Sequence, residues 1–290
     1  MLDSLHHLLL IEAHGSFTAA ARFAHLTQPA LTASIQRLEE QVGARLLHRH
    51  ARGATLTEAG AALLPHARAA LAAVEAGRQA VAERTGLQRG RVRVGGGSTA
   101  CTYLLPPALT AFHAAWPGLD LRLREMLTPD IPEAVAAGEL DLGVAAAPAE
   151  GEPWLADPLV LVASPTLAAR LGGSLAPGAP ALSFGPGSSL RALLDRHLPD
   201  LDVVVELGSI AAIKGHARAG MGVALLSRVA VETDRGLGRL VELPDPRLPP
   251  PRALVLVHAG LDRLSPATLA LRQALLDYSR ASAQQRKPVE

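Results

Sequence analysis

One stretch near the N-terminus decides the fold. Residues 15–43 read GSFTAAARFAHLTQPALTASIQRLEEQVG. Ser16 can cap a short helix, because its hydroxyl can accept a hydrogen bond from a free backbone N–H of the first turn. Thr27 or Gln28 can cap a second helix, which carries Pro29 in its first turn, where the missing N–H costs nothing. The stretch therefore predicts two short helices separated by a tight break.

The second predicted helix has two contrasting faces. Its apolar positions recur with helical spacing and form one stripe: Leu31, Ile35, Leu38 and Val42. Its opposite face displays Thr32, Ala33, Gln36 and Arg37. Two short helices, the second with a polar face, are typical of a helix-turn-helix, whose second helix enters the major groove of DNA. The alternative is a helical hairpin within a bundle.

A basic segment follows, and after it a long helix. Residues 45–56 predict a β-hairpin with Gly53 in its turn, which would be a wing that reaches phosphates or the minor groove; the alternative is a solvated loop. Thr57 is predicted to cap a helix that runs to about Arg84 and spans roughly 40 Å. A heptad seam along this helix predicts a dimerisation partner. Its positions are Leu64, Ala67, Leu71, Val74 and Val81. Residues 86–90 are a predicted hinge.

The remaining two thirds of the chain alternate between strand and helix patterns. Short apolar strands are predicted at 91–94, 119–124, 140–145, 159–163, 181–184, 203–206, 223–226 and 253–257. Helical segments lie between most of them, and a terminal helix is predicted at 266–280. This alternation predicts an α/β layer with parallel strands.

Composition sets the class of protein. A chain of 290 residues predicts about two domains, and no apolar run approaches the ~20 residues of a membrane span. The N-terminus lacks a signal-peptide pattern, and a single cysteine excludes an intrachain disulfide framework, so we expect a cytoplasmic protein. The net charge is only +1, although the first ninety residues hold nine arginines against seven acids. That bias is too mild to establish nucleic-acid binding by itself.

The N-terminal motifs resemble those of LysR-type transcriptional regulators. The matching segments are 15–21, 27–32, 38–47 and 56–60, with weaker matches at 104–106, 139–144 and 219–226. The resemblance implies an α/β protein: a winged helix-turn-helix domain (1–58), a linker helix and hinge (59–89), and an effector domain (90–290). It further implies two effector subdomains similar to periplasmic solute-binding proteins, I (about 91–160 and 260–290) and II (about 161–259). Assembly as a homodimer or homotetramer is also implied.

The DNA-binding residues are expected on the second helix and the wing. The expected set is Thr27, Gln28, Pro29, Thr32, Ala33, Gln36, Arg37, Arg49 and Arg52. Family members often have a basic or polar residue at the position of Ala33, which can touch a thymine methyl but cannot bond to guanine. Base reading is therefore expected to depend on Gln28, Thr32 and Gln36, although Gln36 on a merely solvated face is the alternative.

The ligand is expected between the two subdomains, where loops lead from strands into helix N-termini. The expected effector-binding residues are Ser98, Thr99, Cys101, Thr102, Thr128, Ser188 and Ser209. Small hydroxyl residues there favour an anionic metabolite; ordinary helix capping is the alternative. Redox sensing by Cys101 lacks a resolving cysteine in the chain. No cofactor and no metal site is expected, because neither a phosphate-loop motif nor metal-ligand spacing is complete.

These features predict a regulator, not an enzyme. The resemblance implies that the effector changes promoter binding or bending and thereby contact with RNA polymerase. Three alternatives remain at this point: an enzyme in the α/β portion, a binding protein with an unrelated helical N-terminus, and a repressor of another winged-helix family. The enzyme alternative lacks a Ser/His/Asp order and paired carboxylates in a credible context.

Overall fold

The N-terminal head contains three helices and a hairpin. The computed structural model describes residues 1–50, 53–84, 90–173 and 175–285. The head comprises α1 (Leu2–His14), α2 (Phe17–Phe23), α3 (Gln28–Val42), β1 (Leu47–His50) and β2 (Gly53–Leu56). β1 and β2 pair in antiparallel fashion, as the hairpin prediction requires. The helix-turn-helix and the hairpin are thus confirmed as elements of structure. Gly53, predicted in the turn of the hairpin, is instead the first residue of β2, where it pairs with His50.

The head helices begin and end at the residues that the sequence indicates. The Ser16 side chain accepts a hydrogen bond from the backbone N–H of Ala19 at the start of α2. Thr27 does the same for Ala30 at the start of α3, at 3.3 Å, so Thr27 is the cap of that helix. Gly43 ends α3 with a φ of +76°, a conformation that glycine adopts without steric cost.

The linker helix α4 (Glu58–Arg84) contacts the head of its own chain. Its cap is Thr57, whose hydroxyl accepts from the N–H of Gly60. Ala67 is buried in the apolar core of the head, and Leu71 packs against the same core. These two positions of the predicted seam therefore face this chain's own head. Whether a second copy covers the rest stays a prediction.

Subdomain I is built on one five-stranded sheet. Its strands are β3 (Gly90–Gly96), β4 (Leu119–Glu125), β5 (Leu142–Ala146), β6 (Glu152–Asp157) and β12 (Arg252–Val257), in the order β4-β3-β5-β12-β6. Its helical segments are a π-helical turn (Ala100–Leu104), α5 (Leu105–Ala115), α6 (Asp130–Ala136), a 3₁₀ turn (Leu261–Arg263) and α11 (Pro266–Gln285).

Subdomain II is built on a second sheet, in the order β11-β7-β10-β8-β9. Its strands are β7 (Leu159–Ala163), β8 (Pro180–Ser183), β9 (Asp202–Glu206), β10 (Val223–Ser227) and β11 (Val241–Glu242). Its helices are α7 (Pro165–Arg170), α8 (Ser189–His197), α9 (Ile210–Arg218) and α10 (Arg228–Gly236). Leu161, Leu182 and Leu194 lie fully buried in its core.

Two expectations about this region need correction. Both sheets are mixed, because β12 runs antiparallel to β5 and β6, and β7 runs antiparallel to β10. The boundary of subdomain II is also earlier than expected. Strand β12, which the expectation put in subdomain II, pairs between β5 and β6 of subdomain I. The chain therefore returns to subdomain I before residue 252, and not near residue 260.

The two subdomains are joined where the chain crosses between the sheets. It leaves subdomain I after Asp157, at the end of β6, and returns at Arg252, at the start of β12. These two residues are direct register partners in the sheet. The two chain crossings therefore lie side by side at these residues, and any movement between the subdomains must bend the chain there. Within the described ranges, no helix is both long and apolar enough to span a lipid bilayer.

Candidate nucleic-acid interface and ligand cleft

Helix α3 is held to the head by one face. Leu31, Ile35 and Leu38 are fully buried there, as the apolar stripe predicts. Val42, the fourth member of the predicted stripe, is 44% exposed because it lies at the last turn, beyond the head core. Apolar contacts of the buried face hold α3 on the head. The polar residues on the opposite face of α3 are not needed for this packing.

A small polar network also joins α3 to α1. The Ser34 hydroxyl donates to that of Ser4 at 3.0 Å and lies 2.7 Å from Nδ1 of His7. Burial lowers the pKa of His7, and the charge of neighbouring His6 lowers it further. Asp3 raises this pKa and Arg37 lowers it slightly, but the net shift is downward. His7 is thus held towards its neutral form beneath the helix.

The other face of α3 is open to solvent. Every expected DNA-binding residue on this helix and its cap is exposed except Thr32, which is half-buried. The exposed ones are Thr27, Gln28, Pro29, Ala33, Gln36 and Arg37. Gln28 also lies within 3.5 Å of the Thr18 hydroxyl, an exposed residue of α2 that the sequence did not single out. The face is therefore free to meet a partner.

The hairpin places one of its two expected arginines. Arg49 is exposed, and its guanidinium lies 4.1 Å from the ring centroid of Phe17, a cation–π contact that orients it beside α2. Phe17 itself is buried in the head core. Arg52, the other expected wing residue, lies outside the described residues.

A cavity of about 220 Å³ lies between the two subdomains. Its polar and charged lining residues are Ser98, Thr99, Glu125, Thr128, Ser188, Ser189 and Arg252. Its apolar side chains include Met126, Leu127, Val144, Ala146, Phe184, Leu190 and Leu254. Ligand pockets commonly combine apolar walls with a few polar groups in this way.

Four of the seven expected effector-binding residues line this cavity: Ser98, Thr99, Thr128 and Ser188. The structure does not bring the other three to it. Ser209 caps α9 by accepting from the N–H of Ala212, which is the alternative that its position allowed. Thr102 is exposed, and Cys101 is directed elsewhere.

Cys101 lies below the cavity and bonds to the backbone. Its thiol donates to the Gly96 carbonyl at 3.3 Å. Burial, reinforced by the negative charge of Glu125, raises the pKa of the thiol to about 11. A thiol with so high a pKa is almost entirely protonated at neutral pH and is a poor nucleophile. The structure therefore argues against an acidic, redox-active Cys101.

Sequence reasoning missed the cation of the cavity, Arg252. Its side chain is 8% exposed, and one guanidinium nitrogen donates to Asp157 at 2.6 Å. It occurs at the start of a strand more than 150 positions from Ser98, so spacing gave no signal for it. Residues 249–257, PPPRALVLV, do place an arginine directly before an apolar strand. If that strand is central in its sheet, the arginine is buried, and a buried arginine needs a charged or polar partner.

The head and subdomain I meet at a second charged group. Arg68 of α4 pairs with Glu12 of α1 at 3.1 Å and also with Glu139 of subdomain I. Arg124, one residue before Glu125 of the cavity, donates to the other oxygen of Glu139 at 2.9 Å. We name these four residues, Glu12, Arg68, Arg124 and Glu139, the junction cluster. It connects the edge of the cavity to the head.

The polar groups of the cavity are mainly hydrogen-bond donors. Across residues 1–50, 53–84, 90–173 and 175–285, no three His, Cys, Asp or Glu side chains are grouped so as to hold an ion. The cavity instead offers hydroxyls, one guanidinium and the N-terminus of α8. Such groups donate hydrogen bonds, and they suit a ligand with acceptor oxygens.

Comparison with known proteins covers both parts of the chain. The family model of bacterial regulatory helix-turn-helix proteins of the lysR family matches residues 2–61. The model of the LysR substrate binding domain matches residues 85–280. The HTH-type transcriptional regulator CfxR of Cupriavidus necator is 34% identical over 294 residues, which cover 96% of this chain and 92% of that protein.

Solved structures show the same fold. The crystal structure of ArgP from Mycobacterium tuberculosis superposes with a TM-score of 0.75 at 21% identity, covering 95% of this chain and 96% of that one. Full-length LysG from Corynebacterium glutamicum with a bound effector gives 0.67 at 22% identity, covering 97% and 98%. The exposed face of α3, the two-subdomain cleft and these matches lead to one conclusion: the chain belongs to the LysR family of transcriptional regulators, which bind DNA and are not enzymes.

Proposed function

We propose that this regulator binds promoter DNA through the exposed face of α3 and that a small molecule in the cleft controls this binding. The observation that carries the proposal is the division of α3. One face is fully buried in the head, and the opposite face carries six exposed expected contact residues. A helix supported in this way can enter the major groove without unfolding any part of the head.

Each exposed side chain has a proposed role on DNA. Gln36 is suited to pair with adenine through two hydrogen bonds, and Pro29 and Ala33 are suited to contact thymine methyl groups. Arg37 and Arg49 are assigned to phosphates, since most protein–DNA hydrogen bonds go to the backbone. Arg52 is assigned the same role from the sequence alone.

The cleft is proposed to hold the effector, an anionic metabolite. Binding shifts the angle between the subdomains only if the two arrangements differ in effector affinity. The junction cluster offers a physical connection, because Glu139 of subdomain I is paired with Arg68 of the linker helix. A shift of subdomain I would thereby reach the head, alter the DNA bend and change contact with RNA polymerase.

Assembly and location complete the proposal. A homodimer or homotetramer in the cytoplasm would present paired heads to two half-sites, so the spacing of the heads would set the promoter that is bound. In LysG, the structure with a bound effector has the same two-part architecture as this chain. That likeness supports the fold of the cleft; the effector of this chain is a separate question.

A DNA-binding titration of the full-length protein tests the proposal. Fluorescence anisotropy would follow a labelled duplex that contains the upstream region of the gene, with a scrambled duplex beside it. Gln36→Ala should relax the preference between the two, and a lost bidentate base contact is worth about 1–3 kcal/mol. Arg37→Ala should weaken binding to both and reduce the slope of log K against log salt by about 0.9.

The matched control is Arg263→Ala, which removes an exposed arginine from the 3₁₀ turn of subdomain I. It should leave both the preference and the salt slope unchanged. Wild-type protein that binds neither duplex at low salt would refute the proposed function. Binding that Gln36→Ala, Arg37→Ala and Arg263→Ala all leave unaltered would refute the assignment of α3.

A further inference from the structure

The charged groups of the cleft are unequal in their surroundings. Of the lining residues, Glu125 is exposed at the end of β4, whereas Arg252 is buried at the boundary between the subdomains. Burying a guanidinium is costly unless its donors are satisfied. The hydrogen bonds of Arg252 therefore indicate what the site still lacks.

Two of the three nitrogens of Arg252 have partners. One donates to the Ser189 hydroxyl at 2.8 Å, and another donates to the Asp157 carboxylate at 2.6 Å. The second oxygen of Asp157 accepts a hydrogen bond from Ser227. Nε is buried and has no hydrogen-bond partner within the described chain. A buried guanidinium N–H on the wall of a cavity is left for an acceptor that enters the cavity.

A second set of donors faces the same space. Helix α8 is nine residues long, and Ser188, Ser189 and Leu190 at its N-terminus all line the cavity. Ser188 occupies the cap position, yet its side chain makes no capping hydrogen bond, in contrast to Ser16, Thr27 and Ser209. The free N–H groups of the first turn and the positive end of the helix dipole thus remain available to an anion.

We propose that Arg252 and the N-terminus of α8 together bind one carboxylate group of a small organic acid, with its hydrocarbon part against Val144, Ala146 and Leu254. This inference rests on the proposed function of the cleft as an effector site. The volume of about 220 Å³ is below the ~300 Å³ at which pockets for drug-sized ligands begin. A compact acid fits such a space.

The charged groups around the cavity favour a ligand that carries a single negative charge at this site. Asp157 already neutralises Arg252, and Glu125 adds a further negative charge at the cavity wall. The dipole of α8 contributes only about half an elementary charge. A doubly charged phosphate or a dicarboxylate would meet two carboxylates with little positive charge to offset them. A monocarboxylate carries half of that charge, so it meets the same donors with less repulsion.

Such a ligand would also connect the two subdomains. Arg252 begins β12 of subdomain I, whereas α8 belongs to subdomain II. A carboxylate held by both binds more tightly when the subdomains are close together. The ligand therefore has a differential affinity for two arrangements, which is what an effector needs in order to shift an equilibrium between them.

Isothermal titration calorimetry of the full-length protein tests the inference at pH 7.5. The probes are unbranched and branched monocarboxylates of two to six carbons, the primary amide of each acid, succinate and inorganic phosphate. At least one acid should bind at least tenfold more tightly than its amide, and succinate and phosphate should bind more weakly than that acid. An amide that equals its acid, a preference for phosphate or succinate, or no binding by any acid would overturn the inference.

Variants separate ligand binding from stability. Arg252→Gln leaves the Asp157 carboxylate buried without its cation, so it is accompanied by the double variant Asp157→Asn/Arg252→Gln, which removes both charges and keeps hydrogen-bonding side chains. The double variant should remain folded by circular dichroism and lose at least tenfold in affinity for the acid. Arg263→Gln, at an exposed position in the 3₁₀ turn that follows β12, is the control and should bind as wild type. Undiminished acid binding by the folded double variant would refute the role of Arg252.

The outcome for DNA is read separately. If wild type binds its promoter fragment and phosphate or a dicarboxylate alters that binding through the cleft, the proposed function holds and the carboxylate inference fails. If wild type does not bind promoter DNA although an acid binds in the cleft, the carboxylate inference holds and the proposed function fails. The two conclusions can therefore be overturned independently.

Discussion

The exposed face of α3 and the interdomain cleft are built in opposite ways. The α3 face is the convex side of one helix, with its residues within eleven positions of the chain and in contact with solvent. The cleft is concave, draws residues from positions 97 to 254, and contains a buried ion pair. At α3, the proposed recognition surface and the buried face lie on different sides of the helix. In the cleft, Arg252, which is proposed to meet the ligand, also forms the buried ion pair with Asp157.

The largest expected effect of this difference is on stability at the boundary of the subdomains. Arg252→Gln alone should reduce the free energy of unfolding by about 3–5 kcal/mol, because it leaves the buried charge of Asp157 unpaired. Asp157→Asn/Arg252→Gln should recover most of that loss. Urea denaturation followed by circular dichroism measures both. A single variant as stable as wild type would show that the cleft, like α3, separates ligand recognition from folding.

A smaller effect is expected where the linker helix α4 contacts subdomain I. Gly138 has a φ of +69°, and a Cβ there would lie 2.4 Å from the Cβ of Ala72 on α4. Gly138→Ala should therefore cost about 1–3 kcal/mol from backbone strain alone and loosen the contact with α4. Thermal unfolding and the rate of limited proteolysis in the linker would report this. Gly173→Ala, at an exposed turn with a similar φ and open space around it, is the control for strain without the clash.

A further expected effect concerns the reactivity of Cys101, which does not line the cleft. Because burial and Glu125 raise its pKa to about 11, iodoacetamide should alkylate it at least tenfold more slowly at pH 8 than it alkylates a free cysteine, whose pKa is about 8.5. The rate should rise as the pH approaches 11. Mass spectrometry of timed samples gives the rate. Alkylation at the free-cysteine rate would mean that the thiol ionises like that of a free cysteine, contrary to its surroundings.

The smallest expected effect on stability is on the exposed side of α3. Gln36→Ala should change the free energy of unfolding by no more than about 0.5 kcal/mol, as is usual for solvent-exposed positions. Its neighbour Ile35, fully buried, provides the comparison: Ile35→Val should cost about 0.5–1.5 kcal/mol. Equal losses for the two variants in urea titrations would show that the two faces of α3 are not independent.

The α3 face could be predicted from the sequence because its determinants are local. A cap, a proline in the first turn, an apolar stripe and a terminal glycine all lie within residues 27–43. Helical periodicity then predicts which side chains share a face of the helix. The one misjudged member of the stripe, Val42, lies at the helix end, where the core of the head no longer covers it.

The cleft could be predicted only in part because its determinants are distant in the chain. Loops before helix N-termini indicated Ser98, Thr99 and Ser188, which the structure places along the cavity, since such loops cluster at strand ends in α/β folds. The same reasoning also selected Ser209, which serves its own helix. Arg252 could not be located without knowing that β12 inserts between β5 and β6. That pairing joins segments about a hundred residues apart, and no local pattern records it.

The insertion of β12 also determines when the cleft can form during synthesis. Subdomain II is one continuous stretch, so all of it leaves the ribosome before residue 252 does. The sheet of subdomain I, in contrast, stays incomplete until β12 has been synthesised and can pair between β5 and β6. The nascent chain can thus assemble its DNA-binding head first and subdomain II next. The cavity with its arginine is completed last, when the final forty or so residues emerge.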